Sequence, residues 1–338
     1  MTNQNTPKLS IGLCIFGIAY TAGYVGRGTP RANPKPLSPN ELLDLTARHN
    51  LSSLELPPSF IEENKDEQTL LAFRRRAEEL GISLVVAGPR IETEALRRSF
   101  AVAKTLGATT IRTVLSSILC GDRAPIGGLD GWQKHLAAQA AILKSVAAQA
   151  EDEGIRIGVE NHQDATSADL VWLCETVGSP NIGVVLDTGN PLAVAEDVVE
   201  FAQRILPYLV HVHLKDYWMV STAQGYRLVH CPIGAGVVDF AGLFKLFDSK
   251  LDVRRHIEMA ALHERHIRIL DETWWAGHAK REVTSILPVL RLWRANEYHG
   301  VWQTPWESEE EHRLVAWEME RLDESVERMS KLLNLSIS

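Results

Sequence analysis

Three short phrases carry side chains that could do chemistry: Val159-Glu160-Asn161-His162, Leu186-Asp187-Thr188-Gly189-Asn190 and His211-Val212-His213-Leu214-Lys215-Asp216. A fourth acid closes the run His256-Ile257-Glu258. Glu160, Asp187, His213 and Glu258 together form an oxygen-rich set. It suits a divalent cation, Mn2+ first and Mg2+, Co2+ or catalytic Zn2+ after it, better than do the thiolate-rich sets of structural zinc. Any one of the four alone reads as a salt bridge or cap, but four at matching strand ends point to a site.

Those strand ends follow from the spacing. Glu160 and Asp187 are 27 positions apart and Asp187 and His213 are 26 apart. One strand, loop, helix and return loop takes about 25–30 residues, so the three groups belong on neighbouring parallel strands. Each phrase ends an apolar, β-rich run (155–159, 182–186, 209–214) and precedes residues that open a helical pattern. A (β/α)8 TIM barrel presents its site in this way. Earlier strands are expected at 10–18, 51–56, 82–87 and 109–115, and the eighth at 254–260.

Helices alternate with them. One opens at Ser38 with Pro39 and a capping box to Glu41, and others cover 66–80 and 92–106, closed by Gly81 and Gly107. Further helices are expected at 132–153, at 167–177 with Ser167 as cap, at 196–206, 239–251 and 281–294. Residues 217–238 read as a long excursion holding the tight loop Pro232-Ile233-Gly234-Ala235-Gly236. The barrel is expected over 9–295 and a C-terminal helical extension over 296–338. In that extension Leu314, Trp317, Met319, Leu322, Val326, Met329 and Leu332 share a helix face. Such a face needs the barrel wall or a second subunit, and a subunit contact is the expectation.

The chain has 338 residues, 45% hydrophobic and 23% charged, with a net charge of −8. That balance offers no footprint for a phosphate backbone and argues against nucleic acid as a partner. Cys14, Cys120, Cys174 and Cys231 show no CxxC spacing, and the first apolar run, 9–19, lacks the flanks of a signal peptide. No stretch approaches the ~18 consecutive apolar residues of a membrane span, so a cytoplasmic location without membrane association is expected.

With ENH, LDTGN, HVHLKD and HIE in this order and spacing, residues 10–295 resemble the xylose isomerase-like TIM barrel superfamily of sugar phosphate isomerases/epimerases. It embraces ketose 3-epimerases, inosose and dehydroshikimate dehydratases, endonuclease IV-type enzymes and deglycosidases acting on oxidised C-glycosides. The resemblance implies that Glu160, Asp187, His213 and Glu258 ligate the metal. It also implies that Glu160 and Glu258 act as the acid/base pair on a metal-stabilised enediolate of a keto sugar or cyclitol. Reprotonation of that enediolate gives an epimerase or isomerase. Loss of a leaving group gives a lyase, the alternative. The endonuclease IV type needs further histidines at early strand ends, and none occurs between His49 and His135.

Departures and neighbours fill in the rest. Ketose 3-epimerases usually carry a histidine where this chain has Asn190. His162 is a candidate general base, placed by its ordinary pKa for work near neutrality. Lys215 either neutralises a developing oxyanion or pairs with Asp216. Asn190, Arg112, His211 and Trp218 are the candidate substrate contacts, with Glu55 the structural partner for Arg112, and an orienting role favoured for His211. Trp218, Trp274 and Trp275 either stack on a sugar ring or pack their loops. Besides the sugar or cyclitol, the partners expected are a second copy of the chain and, at most, a small accessory subunit.

Overall fold

The structure is a computed structural model that describes residues 8–61, 66–248 and 253–336, with side chains to residue 333. The first half alternates strictly: β1 (Gly12–Cys14), α1 (Pro39–Arg48), β2 (Ser53–Leu56), α2 (Glu67–Glu79), β3 (Ser83–Ala87), α3 (Thr93–Leu106), β4 (Thr110–Val114) and α4 (Gly128–Asp152). The second continues with β5 (Arg156–Glu160), α5 (Ser167–Val177), β6 (Ile182–Asp187), α6 (Val198–Ile205) and β7 (Leu209–Leu214). A hairpin, β8 (Tyr217–Thr222) and β9 (Gly225–His230), then precedes α7 (Phe240–Phe247) and β10 (Arg254–Ile257). The chain ends with β11 (Arg265–Ile267), α8 (Glu272–Trp275), α9 (Val283–Ala295) and α10 (Leu314–Ser336).

Eight parallel strands close into a barrel in the order β1-β2-β3-β4-β5-β6-β7-β10, sealed by pairing of Gly12 with His256 and Leu13 with Ile257. All six residues of β6 and all six of β7 are buried, as strands covered on both faces must be. The predicted box opens α1, Ser38 Oγ accepting from Glu41 N while the Glu41 side chain accepts from Ser38 N. Gly107 ends α3 at φ +67, in the left-handed region that costs other residues energy.

Several local expectations are corrected. The first strand is only three residues long, because the chain turns into a 3-10 helix at Ile15–Ile18. Helix α4 starts at Gly128, four residues before the predicted Trp132, and Thr166, not Ser167, caps α5 in a box with Asp169. The helix expected over 239–251 is described as Phe240–Phe247, and residues 249–251 lie outside the described residues.

The excursion at 217–238 holds regular structure: β8 and β9 pair antiparallel and β11 joins them as a three-stranded sheet. Gly225 turns this hairpin at φ +149, where a Cβ would lie 2.2 Å from Ile267 O. The loop after it is pinned by Asp216, whose carboxylate accepts from Gly234 N (3.0 Å), Gly236 N (2.8 Å) and Val238 N (3.0 Å).

The C-terminal helix is also corrected, since its face is buried on this chain's own barrel. Leu314, Leu322, Met329 and Leu333 are buried, Ser325 Oγ accepts from Ile233 N (3.0 Å), and Trp317 packs on the ring of His230.

Candidate metal centre and active site

Register brings the four ligand-type residues together. Glu160 and Asp187 are the last residues of β5 and β6, and Glu258 follows β10 directly. A β-bulge at Val184/Val185 sets Asp187 opposite His213, which in turn lies opposite His256. Two phrase residues that look chemical are fasteners. Asn161 accepts from Asp187 N (2.6 Å) and donates to Asp187 O (3.1 Å), stitching β5 to β6. Thr188 donates to Lys215 O (2.7 Å) and accepts from Lys215 N (2.8 Å).

Glu160, Asp187, His213 and Glu258, all buried, each offer a ligand atom within 4.8 Å of the others. The set fits a cation by what it leaves unmet. Glu55 Oε2 holds His213 Nε2 at 2.8 Å, so Nδ1 turns toward Glu258 Oε2 (2.8 Å) and Glu160 Oε2 (3.8 Å). Glu160 Oε1 is buried without a hydrogen-bond partner, and Glu258 Oε2 and His213 Nδ1 meet as an ion pair without hydrogen-bond geometry. A carboxylate behind a histidine is also how metal-binding imidazoles are oriented.

The electrostatics agree. Burial pushes the Asp187 carboxyl up to about 7, with Glu258 and Glu160 adding to the rise and Lys215 opposing it. Burial also works to raise Glu258, but the Lys215 ammonium and His213 outweigh it and hold that carboxyl well below the usual range. Burial disfavours charge on His213, yet Glu55 and Glu258 outweigh it and raise the imidazole well above its ordinary value. So much acid in so little space calls for positive charge between its members.

Lys215 supplies part of it. Its ammonium donates to Asp187 Oδ2 and to Glu258 Oε1 (3.0 Å). The pairing considered with Asp216 does not form, because Asp216 is occupied by backbone amides; burial still lifts that carboxyl to about 6.

A cavity of about 660 Å³ opens above the set, the usual size for a small-molecule site. Glu160, Glu258, His162, Lys215 and Arg112 all line it. His162 Nδ1 is buried and unpartnered, and burial lowers the imidazole pKa, which keeps the ring neutral and able to accept a proton. Arg112 Nε donates to Glu55 Oε1 (3.0 Å) and lies 3.4 Å from Glu160 Oε2, while burial is outweighed by Glu160 and Glu55 and its pKa rises.

Three candidate substrate contacts stand off the cavity wall. His211 is fully buried with Nε2 on Glu55 Oε2 (2.9 Å), an orienting position. Asn190 sits behind the wall, where Oδ1 accepts from Gln163 Nε2 (3.3 Å) and Tyr217 OH (3.2 Å). Trp218 stacks on Tyr298 with centroids 4.3 Å apart and donates to Ala235 O (2.9 Å). Trp274 and Trp275 hold loops through Cys120 O (2.7 Å) and Ile269 O (2.8 Å).

One role and one residue enter that the sequence did not show. Glu55 pairs with Arg112 as expected and also binds His211 and His213, so it organises the floor of the site. Glu318 reaches the cavity from α10 and accepts from Tyr20 N (3.0 Å) and Thr21 N (2.7 Å). Its signal was an acid midway between Leu314 and Leu322 on the buried stripe.

A sequence model of the xylose isomerase-like TIM barrel family matches residues 43–260. The chain belongs to that family. It is similar to a 3-oxo-isoapionate decarboxylase of Pectobacterium atrosepticum, at 25% identity over 267 residues, 78% of this chain and 87% of that protein. Among solved structures, L-ribulose 3-epimerase aligns with a TM-score of 0.53 at 17% identity, over 96% of this chain and 97% of that one. The 3-keto-D-glucoside 4-epimerase YcjR of E. coli gives 0.52 at 13% identity, over 85% of this chain and all of its own. At such identities the structural likeness speaks for the fold alone. Members of the family with these names are enzymes acting on small carbohydrates, and no described helix of this chain is long and apolar enough to cross a membrane.

Proposed function

We propose that this protein is a divalent-metal-dependent enzyme that forms an enediolate from a keto sugar or cyclitol, with epimerisation or isomerisation as the outcome. The observation that carries this reading is the convergence of Glu160, Asp187, His213 and Glu258 within 4.8 Å beneath an open cavity. A divalent ion held by these four residues supplies Lewis-acid polarisation of the substrate carbonyl. His162, neutral and unpartnered on the cavity wall, takes the proton beside the carbonyl. Glu160 and Glu258 flank the same space and carry protons between donor and acceptor carbons. Lys215, against Asp187 and Glu258, stabilises the developing oxyanion.

A second reading, a lyase, is favoured by one observation, the similarity to a decarboxylase along most of both chains. In that case the bond from the α-carbon to a carboxylate breaks and its electron pair passes into the enediolate. CO2 departs, and His162 or a glutamate returns a proton to carbon.

Both readings are tested with Mn2+-loaded protein in D2O against ketoses, inososes, 3-keto-glycosides and 3-oxo sugar acids. Deuterium in an intact sugar supports the epimerase or isomerase, and release of CO2, water or aglycone supports the lyase. Absence of exchange or release with the whole panel overturns the enediolate mechanism.

A further inference from the structure

The floor of the site is electrically balanced without the rest of the cavity. Glu55, Glu160, Asp187 and Glu258 would stand against the Arg112 guanidinium, the Lys215 ammonium and the two charges that a divalent ion on a neutral His213 would bring. Glu318, the other carboxyl on the cavity wall, has its two oxygens on the amides of Tyr20 and Thr21. Two guanidiniums remain on that wall, Arg90 and Arg265, and neither pairs with a carboxylate among the described residues.

Arg265 is the better built of the two. It stands on β11, paired with Leu228 of β9, and Nη1 donates to the carbonyls of His263 (3.2 Å) and Glu264 (3.3 Å). These bonds fix the fork, yet Nε is buried with no partner. The carboxylate of its chain neighbour Glu264 is engaged elsewhere, with Arg227 at 2.5 Å. Arg265 shares the cavity wall with Tyr217 and Gln163, which are themselves joined by a 3.2 Å hydrogen bond. A buried N–H without an acceptor, on a guanidinium that lines an open cavity and has no carboxylate partner among the described residues, calls for an acceptor. A planar fork of this kind matches a carboxylate.

We propose that the substrate is a keto sugar acid whose carboxylate is held by Arg265 while its carbonyl end faces Glu160, Asp187, His213 and Glu258. This rests on the enediolate reading and names the substrate class that reading leaves open. Arg265 fixes which end of the sugar reaches the floor, and a neutral ketose leaves the buried Nε unmet.

The test compares 5-keto-D-gluconate with L-sorbose, which share a carbon skeleton and differ by a carboxylate in place of a hydroxymethyl group. Each is titrated calorimetrically into the full-length, Mn2+-loaded protein. The acid is expected to bind about 10- to 100-fold tighter, the value of a charge-assisted hydrogen bond. Arg265→Met should erase the gap, and Arg265→Lys, which keeps the charge, should retain part of it. Equal affinity for the two sugars in the native protein overturns the proposal. So does a gap that survives Arg265→Met, which would put the carboxylate on the ion, or an equal loss for both sugars, which would mark a structural role. Deuterium exchange from D2O into the same two sugars is read separately. Its absence counts against the enediolate reaction, whereas the binding comparison alone decides the role of Arg265.

Discussion

Glu55 faces no substrate directly, yet it fixes the ring of His213 and anchors Arg112 beside Glu160. A carboxylate behind a metal-binding imidazole typically contributes a factor of about 10–100 in metal affinity. Glu55→Gln is therefore expected to weaken Mn2+ binding by that factor, measured by competition with a chelator. The expected contrast comes from two other variants. Asp187→Asn should abolish stoichiometric metal in elemental analysis, whereas His162→Ala should retain it and lose about 100- to 10,000-fold in turnover, the usual range for a general base. Loss of metal from His162→Ala to the same degree would place that histidine among the ligands instead.

Of the candidate ligands, Asp187 was legible because it ends the continuous apolar run of β6, and Glu160 because it ends the mostly apolar β5, at the mouth of a barrel, whereas Glu258 follows Arg254-Arg255-His256-Ile257 and was legible through its motif. The wider role of Glu55 was hidden. It is the third of the four residues of β2, 105 positions before Glu160, and beside a buried arginine it reads as a simple ion pair. His211 shares its motif with a cavity residue, Lys215, and Asn190 shares its motif with Asp187, but strand alternation selects a face of the sheet and says nothing of depth. His211 lies two residues below His213 and binds the same Glu55 oxygen.

At the scale of elements, the alternation of strands and helices could be read almost throughout, while the connections could not. The β8–β9 hairpin escaped because its turn, Thr222-Ala223-Gln224-Gly225, lacks the Asn-Gly or Asp-Gly pair that usually marks two-residue hairpins. The docking of α10 escaped because an apolar stripe states that it needs a partner and not which one.

That docking carries a titratable group. Burial lifts the Glu318 carboxyl from 4.5 to about 7, against the pull of the Tyr20 and Thr21 hydrogen bonds. The folded state thus binds its proton more tightly than the free chain. The contribution is complete below about 4.5 and is lost as pH rises through about 7. The loss is at most on the order of 3 kcal/mol. Hydrogen-exchange protection of the Tyr20 and Thr21 amides should therefore fall across this interval, after correction for the intrinsic exchange rate. In Glu318→Gln the corrected protection should be flat, and a slope unchanged from the native protein would assign the pH dependence to another group.

For the molecule as a whole, α10 decides between self-packing and assembly, two outcomes that an apolar stripe alone does not distinguish. Leu314, Leu322, Met329 and Leu333 are buried within one chain, and burying such side chains contributes roughly 1.5–3 kcal/mol each as an upper estimate. That sum is comparable with the entire stability of an ordinary domain, about 5–15 kcal/mol, so removing everything after Pro305 is expected to unfold the chain. A milder change gives the cleaner test. Leu322→Ala leaves a cavity under the helix and should cost about 2–5 kcal/mol in chemical denaturation, with no change of mass in solution. A change of solution mass in Leu322→Ala at native stability would mean that the buried stripe is held by a neighbouring subunit. A lowered midpoint at constant mass means that the extension belongs to its own barrel and reaches its site through Glu318.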